Sequence, residues 1–245
     1  SSLDVALGSG AIDEAFLDAA EGAARADLIV VATPAALVQD MLDAVRPVCG
    51  PSTIVTDVAS TKGAICAHAA ATWPSPRRFV GSHPMAGSEK YGPEHGRPDL
   101  YDHSVCLVET GADLDPEAHA AVTALWRAVG ARVVEIEPEA HDAILARTSH
   151  LPHVAAAALA FEAATLGSVA DFVGNGFRDT TRIAASRAEV WRDICSTNRH
   201  ALGDAIASLT ARLEAFRHAL EQNDDAALEL FFNEGADARR KALHK

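Results

Sequence analysis

Short, largely apolar runs separated by helix-like segments occupy the chain between Asp27 and Glu137. The strand candidates cover residues 28–32, 53–56, 79–80, 105–108 and 133–136, and the helix candidates between them cover 35–45, 61–71 and 116–129. Strands that are apolar at successive positions are buried on both faces, as in a parallel sheet covered by helices. The pattern therefore predicts an α/β domain with a doubly wound, mostly parallel sheet.

The strand signal ends near Pro138, and the rest of the chain is helical in pattern. Residues 141–166 are rich in alanine, with Pro152 as the only helix breaker, and a polar loop around Gly174-Asn175-Gly176 separates them from further helix. We therefore predict an α/β domain over residues 1–137 and an all-α domain over residues 138–245.

One helix of the second half carries a heptad-like apolar seam. Its members recur at spacings of four and three: Leu202, Ile206, Leu209, Leu213, Phe216 and Leu220. The seam extends over about 27 Å at 1.5 Å per residue. A helix packed within its own domain explains it, but the length of the seam favours a helix shared with a second subunit.

Composition excludes several classes of protein. The chain has 245 residues and a formal net charge of -13, which disfavours nucleic acid and anionic membranes as main partners. The longest helical apolar run, 154–161, is far shorter than the roughly 18 residues of a membrane span. No secretory signal is visible, so we expect a cytoplasmic location. The four cysteines are widely spaced without a Cys-x-x-Cys pair, which indicates buried thiols.

Residues 81–90 carry one histidine and one carboxylate within a turn rich in Gly, Pro and Ser, directly after the strand candidate 78–80. A neutral imidazole at His83 can accept a proton from a hydroxyl near pH 7. The alternative is a structural histidine in a surface turn. It is less attractive because Glu89 and Lys90 follow in the same loop.

Two further segments follow strands directly. Thr33-Pro34 comes after the strand candidate 28–32, and Asp57 to Lys62 opens a helix after 53–56. Ligands of doubly wound sheets bind at the carboxyl ends of strands, where Ser60 could also orient His83. The alternatives are an ordinary strand-Pro-helix junction for the first segment and, for the second, a helix N-cap at Ser60 or Thr61 with Lys62 in solvent.

The helical half contains two clusters of polar side chains. His150 and His153 are three residues apart and could share a helix face, but no carboxylate or thiol accompanies them at ligand spacing, so substrate contact ranks above a metal. Arg178 and Arg182 are four apart after a Gly-rich loop and could clamp a carboxylate. A surface ion-pair array is the alternative for the arginines.

At these residues the chain resembles the prephenate/arogenate dehydrogenase family of tyrosine biosynthesis. The matching segments are 32–34, Asp57-x-x-Ser60-x-Lys62, 81–90, His141-Asp142 with 149–153, and 177–184 with 191–194. The resemblance implies a Rossmann-like dinucleotide-binding domain, an all-α dimerisation domain and a homodimer. It also implies oxidative decarboxylation of prephenate or arogenate with hydride transfer to NAD or NADP, without a metal.

The resemblance also implies roles for individual residues. His83 would take the ring hydroxyl proton, and Ser60 would orient His83 and touch the cofactor. Arg182 would bind a substrate carboxylate with help from His153. The other candidates fall into two groups: Glu89, Arg178 and Asp179 at the substrate, and Thr33, Pro34 and Asp57 at the cofactor.

The family's opening strand and Gly-x-Gly-x-x-Gly turn do not occur in these 245 residues. We therefore expect an incomplete cofactor-binding domain, with about 30 residues of a strand-helix-strand unit missing before Ser1 and an apolar sheet edge left open. Two alternatives stay open: a dimeric binding or scaffold protein without cofactor, and a β-hydroxyacid-type dehydrogenase. The sequence distinguishes neither prephenate from arogenate nor NAD from NADP.

Overall fold

The computed structural model describes residues 2–87 and 92–244. It divides into two compact units, Ser1–Arg199 and His200–Lys245. The first unit contains the strands of the described residues and the helices up to Thr197. A domain boundary at Pro138 stays a prediction.

The strands of the first unit form two three-stranded sheets. In the first sheet β1 (Leu28–Val31), β2 (Ile54–Asp57) and β3 (Phe79–Val80) lie side by side in that order and run parallel. In the second sheet β4 (Ser82–Pro84) pairs antiparallel with β5 (Val105–Glu109), which pairs parallel with β6 (Arg132–Ile136). The predicted α/β class with a mostly parallel sheet is confirmed.

One local prediction is wrong. His83 was expected in an open turn, but Ser82, His83 and Pro84 form the strand β4 and are buried. The reason is the pairing with β5, in which His83 lies opposite Leu107.

The helices of the first unit are α1 (Ser2–Gly8), α2 (Ala19–Ala23), α3 (Val38–Val45), α4 (Gly63–Thr72), α5 (Pro116–Ala128), α6 (Pro138–Leu145), α7 (Leu151–Ala164), α8 (Asn175–Thr181) and α9 (Ala188–Thr197). A π-helical turn, Ala146–His150, joins α6 to α7. The helix predicted over 141–166 is therefore interrupted. Pro152 lies in the first turn of α7, where its missing N–H costs nothing.

Two apolar clusters hold the sheets to their helices. The first includes Val31, Val38, Leu42, Val55, Ile65 and Phe79, and the second includes Val80, Cys106, Val108, Val122 and Trp126. Burial of each such side chain stabilises the fold by about 1.5–3 kcal/mol. Two residues of β1 are less covered, since Leu28 is 38% and Val30 42% exposed.

Gly81 connects β3 to β4 at a point where the chain is closely packed. A Cβ atom there would lie 2.7 Å from Cys66 Sγ. The Gly81 N–H donates to Glu109 Oε2 at 2.8 Å, and Glu109 is held in turn by Arg77 at 2.7 Å. A buried ion pair therefore fixes the start of the strand that carries His83.

The second unit consists of helix α10 (Arg199–Gln222), from His200 onward, and α11 (Asp225–Leu243). Phe216 packs against Phe231 at 4.8 Å between ring centroids. The predicted apolar seam lies on α10, where Leu213 is 54% and Leu220 52% exposed. No helix among the described residues is both long and apolar enough to cross a membrane.

The four cysteines are free thiols. Burial raises the pKa of the Cys66 thiol and raises that of Cys106 to about 12. Cys49 and Cys195 are only partly buried, so the prediction of buried thiols is right for two of the four.

Candidate active site

His83 lies at one end of a buried chain of hydrogen-bonded side chains. Its Nδ1 is 2.9 Å from Nε2 of His141, and Nδ1 of His141 is 2.8 Å from Oδ1 of Asp142. His83 is 9%, His141 0% and Asp142 7% exposed. The chain joins strand β4 to helix α6, which are 58 residues apart in sequence at the two histidines.

Asp142 also caps helix α4. Its carboxylate accepts hydrogen bonds from the backbone amides of Lys62, at 2.8 Å, and Gly63, at 2.9 Å. Burial by itself would raise the pKa of Asp142, but the hydrogen bonds from His141 and the two amides hold it below its ordinary value. The local cap that the sequence offered is not the one used, since Thr61 Oγ1 instead lies 2.9 Å from Thr197 Oγ1.

Lys62 and Asp57 form a buried ion pair beside this cap. Lys62 is 1% exposed and Asp57 0%, so the solvent-exposed Lys62 of the N-cap alternative is wrong. The physical reason is that a carboxylate taken out of water needs a counter-charge. Asp57 also accepts from the amides of Ala59 and Ser82, each at 3.0 Å. Its side chain is thus held by protein groups, and cofactor contact by Asp57 stays a prediction.

The surroundings of His83 disfavour its charged form. Burial comes first, followed by the charges of His141, Lys62 and His150, and together they hold the pKa of His83 well below its ordinary value. His83 is therefore a neutral imidazole at pH 7, which is the state that a proton acceptor needs.

His150 is a second buried histidine close to this chain. Its Nδ1 lies 3.2 Å from Nδ2 of Asn198, and the same Asn198 amide donates to the backbone carbonyl of Asp142 at 2.8 Å. Burial is the main reason that the pKa of His150 falls to about 4, opposed by Asp142 and assisted by His141 and His153. His150 is thus held neutral as well.

His153 is part of an aromatic wall. Its ring stacks on Trp191 with 3.6 Å between ring centroids and 24° between ring planes. The ring of His150 also contacts Trp191, edge-on, with 6.1 Å between centroids. The Nδ1–H of His153 donates to the Ser149 carbonyl at 2.9 Å, which orients the ring. Within residues 2–87 and 92–244, no group of three or more His, Cys, Asp or Glu side chains is placed to hold a metal ion.

The predicted arginine clamp lies on the surface of the first unit. Arg178 and Asp179 are on α8, and Arg182 begins the short 3-10 turn Arg182–Ala185. All three side chains are exposed. In the part of the chain that the structure describes, no ion pair includes Arg178, Asp179 or Arg182, so the surface ion-pair array offered as an alternative is not observed there.

The predicted cofactor contacts lie just past the strands. Thr33 follows β1, and its buried Oγ1 has no hydrogen-bond partner among the described residues. Pro34 opens the 3-10 turn Ala35–Leu37. Ser60 is half-buried beyond the end of β2, and no described hydrogen bond joins it to His83. Glu89 lies outside the described residues.

Sequence reasoning placed His141 and Asp142 in a matching segment but gave them no role, and it gave none to Asn198. The adjacent His141-Asp142 pair is the sequence feature that could have indicated a role in the site. Its position in the sequence, however, does not show that it contacts a strand 58 residues earlier. Only the fold brings these residues to His83.

Two family models match the chain. Residues 1–135 match the nucleotide-binding domain of prephenate dehydrogenase, and residues 137–234 match its dimerization domain.

Known relatives agree with these matches. The chain is 32% identical over 239 residues to prephenate dehydrogenase from Bacillus subtilis, covering 96% of this chain and 64% of that protein. It is 30% identical to cyclohexadienyl dehydrogenase from Zymomonas mobilis, and the match covers 91% of this chain and 77% of that protein. The crystal structure of prephenate dehydrogenase from Aquifex aeolicus with hydroxyphenyl propionate and NAD+ matches with a TM-score of 0.87 at 27% identity. The match covers 98% of this chain and 85% of that one. The chain thus spans less than two thirds of the Bacillus protein.

Proposed function

Because the chain belongs to the prephenate dehydrogenase family, we propose that it catalyses the oxidative decarboxylation of prephenate or arogenate with NAD or NADP. The observation that carries the proposal is His83: a buried histidine with a depressed pKa, held through Nδ1 by His141. Such a group is a neutral base at physiological pH.

His83 moves one proton twice in the proposed reaction. It takes the proton of the ring hydroxyl while the hydrogen on the same carbon leaves as hydride, so that the carbon becomes a carbonyl. Loss of carbon dioxide from the ring then sends the bonding electron pair through the ring to the carbonyl oxygen. That oxygen takes the proton back from His83, giving an aromatic phenol. Aromatisation drives the sequence, so the protein mainly positions and deprotonates its substrate.

The cofactor site fits the residues present at the ends of β1 and β2. Thr33 Oγ1 is a buried hydroxyl without a described partner, and a hydroxyl in that state can donate to or accept from a bound polar group. Thr33, Pro34 and Ser60 would hold the cofactor, with Asp57 bracing the loop behind them. When bound, the nicotinamide accepts the hydride.

The substrate carboxylates would meet the cationic and imidazole groups of the helical part. Arg182 is exposed and free of a described ion pair, which leaves its forked donors available for a carboxylate. His153, held flat on Trp191, would help at the same group. Arg178, Asp179 and Glu89 would shape the far end of the site, where the keto or amino group distinguishes prephenate from arogenate.

We further propose a homodimer formed through the helical part and located in the cytoplasm, where soluble metabolites of amino-acid synthesis occur. The partly exposed seam residues Leu213 and Leu220 on α10 support a second copy as the partner. The match of residues 137–234 to a dimerization domain points the same way.

The test is an assay of the full-length protein with prephenate and arogenate, each combined with NAD and NADP. We expect reduced cofactor, carbon dioxide and one aromatic product, 4-hydroxyphenylpyruvate or tyrosine, in equal amounts. Tight binding of substrate with no turnover in any of the four combinations would favour the scaffold alternative. Reduction of cofactor without release of carbon dioxide would favour a β-hydroxyacid-type dehydrogenase.

A further inference from the structure

We propose that the His141–Asp142 pair is a positioning device that fixes the tautomer of His83, so that the His83 lone pair is on Nε2 and its proton on Nδ1. The kinetic part of this inference rests on the proposed function, while the tautomer itself does not. Neither His141 nor Asp142 would touch the substrate, and both would act through His83.

The hydrogen-bond polarity of the chain dictates the tautomer. The Asp142 carboxylate only accepts, so Nδ1 of His141, 2.8 Å away, carries a hydrogen and donates it. With its ring hydrogen on Nδ1, His141 presents the lone pair of Nε2. Because that atom is 2.9 Å from Nδ1 of His83, the hydrogen between them belongs to His83 Nδ1. The remaining His83 nitrogen, Nε2, is left as the proton acceptor.

Asp142 is well placed to keep this polarity fixed. Its two oxygens also accept from the amides of Lys62 and Gly63 at the start of α4, and its backbone carbonyl accepts from Asn198. The carboxylate cannot turn without losing the helix cap. These contacts also keep it ionised, because they lower its pKa.

The groups around His83 make its protonation unfavourable, and the His141–Asp142 pair counteracts this effect. The basic groups that act on the His83 ring are His141 on α6, His150 on the π-helical turn and Lys62 ahead of α4, while the His83 backbone hydrogen-bonds to the Cys106 thiol on β5. Burial and electrostatic repulsion from these basic side chains oppose protonation of His83. Asp142 is the anion that, through His141, stabilises the proton that His83 takes up, while Asp57 already neutralises Lys62.

The experiment compares His141→Leu with His141→Gln. Leucine removes the acceptor for the His83 Nδ1–H, whereas a glutamine amide can accept from His83 through Oε1 and donate to Asp142 through Nε2. Nitrogen-15 NMR of the histidine rings, assigned through His83→Asn, reads the tautomer directly and needs no turnover. We expect the Nδ1–H form in the native protein and in His141→Gln, and the Nε2–H form in His141→Leu.

Kinetics give the second readout. In His141→Leu we expect kcat to fall by roughly 10- to 100-fold, part of what a general base contributes, while KM changes little. His141→Gln should recover most of the rate. His150→Gln is the matched control for loss of a buried imidazole and should leave the Nδ1–H tautomer of His83 in place.

Two results would overturn the inference: the Nε2–H form of His83 in the native protein, or the Nδ1–H form surviving in a folded His141→Leu. If His141→Leu does not fold, the native spectrum and that of His141→Gln still decide, since a different tautomer in either contradicts the assigned polarity. An inactive protein that shows the Nδ1–H form would count against the proposed function and leave the positioning role standing.

Discussion

The backbone amide of Lys62 donates to the side chain of Asp142 over 2.8 Å, although 80 residues separate the two in sequence. One carboxylate thereby caps the helix after β2 and orients the histidine that contacts His83. The stability of α4 and the geometry of the proposed base thus depend on the same side chain.

Asp142→Ala should lower the free energy of unfolding by more than a simple cap would. A helix cap is worth about 1 kcal/mol, and leaving buried partners unsatisfied costs a further 1–3 kcal/mol. Asp18→Ala, which removes the exposed cap of α2, is the matched control and should cost about 1 kcal/mol. Chemical denaturation measures both, and equal losses would show that Asp142 is only a cap.

Acid should destabilise the fold through His150. Its pKa is about 4 in the folded protein and roughly 6.5 when unfolded, so the unfolded state binds a proton first as the pH falls. The free energy of unfolding should therefore decrease between about pH 6.5 and about pH 4, by up to about 3 kcal/mol from this group. Denaturation across that range should show a shallower decrease for His150→Gln. An identical decrease in both proteins would mean that folding does not lower the pKa of His150.

Arg182→Ala should raise the KM for the substrate while leaving kcat within a few-fold, because a charged contact to a non-reacting carboxylate contributes mainly to binding. Arg217→Ala removes another exposed arginine, one that pairs with Glu214 and Glu221 on α10, and it should change neither constant. An unaltered KM in Arg182→Ala would remove this residue from the carboxylate clamp.

Charge on the α10 seam should break the proposed dimer. Leu213→Asp with Leu220→Asp is expected to shift the mass measured by light scattering from two chains to one, since a buried unpaired carboxylate disfavours association. Glu214→Ala changes a charged residue of the same helix that is not part of the apolar seam, and it should leave the mass unchanged. A dimer that survives the double substitution would place the interface elsewhere.

The sequence was a good guide to the strands of the sheet. The apolar runs 28–32 and 53–56 predicted parallel strands correctly, because that pattern depends only on local residues, but two residues of β1, Leu28 and Val30, are exposed and not buried as predicted. The His83 segment was harder, because its Gly and Pro content is typical of a turn while its pairing with β5 makes it a strand. Long-range pairing outweighed local preference there.

The contacts that complete the site could not be predicted from the sequence. Lysine side chains are usually exposed, so the sequence alone predicts Lys62 at the surface. Only the fold shows that it is buried and paired with Asp57. His141 on α6 is 58 residues from its partner His83, and Asn198, in the turn between α9 and α10, is 56 residues from its partner Asp142. Patterns of local periodicity carry no information about such distances.

The most direct test of the account is the turnover of His83→Asn in the full-length protein, measured with the substrate and cofactor that the native protein prefers. We predict that kcat falls by roughly 100-fold or more, the scale for loss of a general base, while cofactor affinity, measured by fluorescence titration, stays nearly native. His68→Asn, which replaces a partly buried histidine paired with Asp43, should retain full activity. Native turnover in a folded His83→Asn would contradict the account, because the proton of the ring hydroxyl would then go to another group.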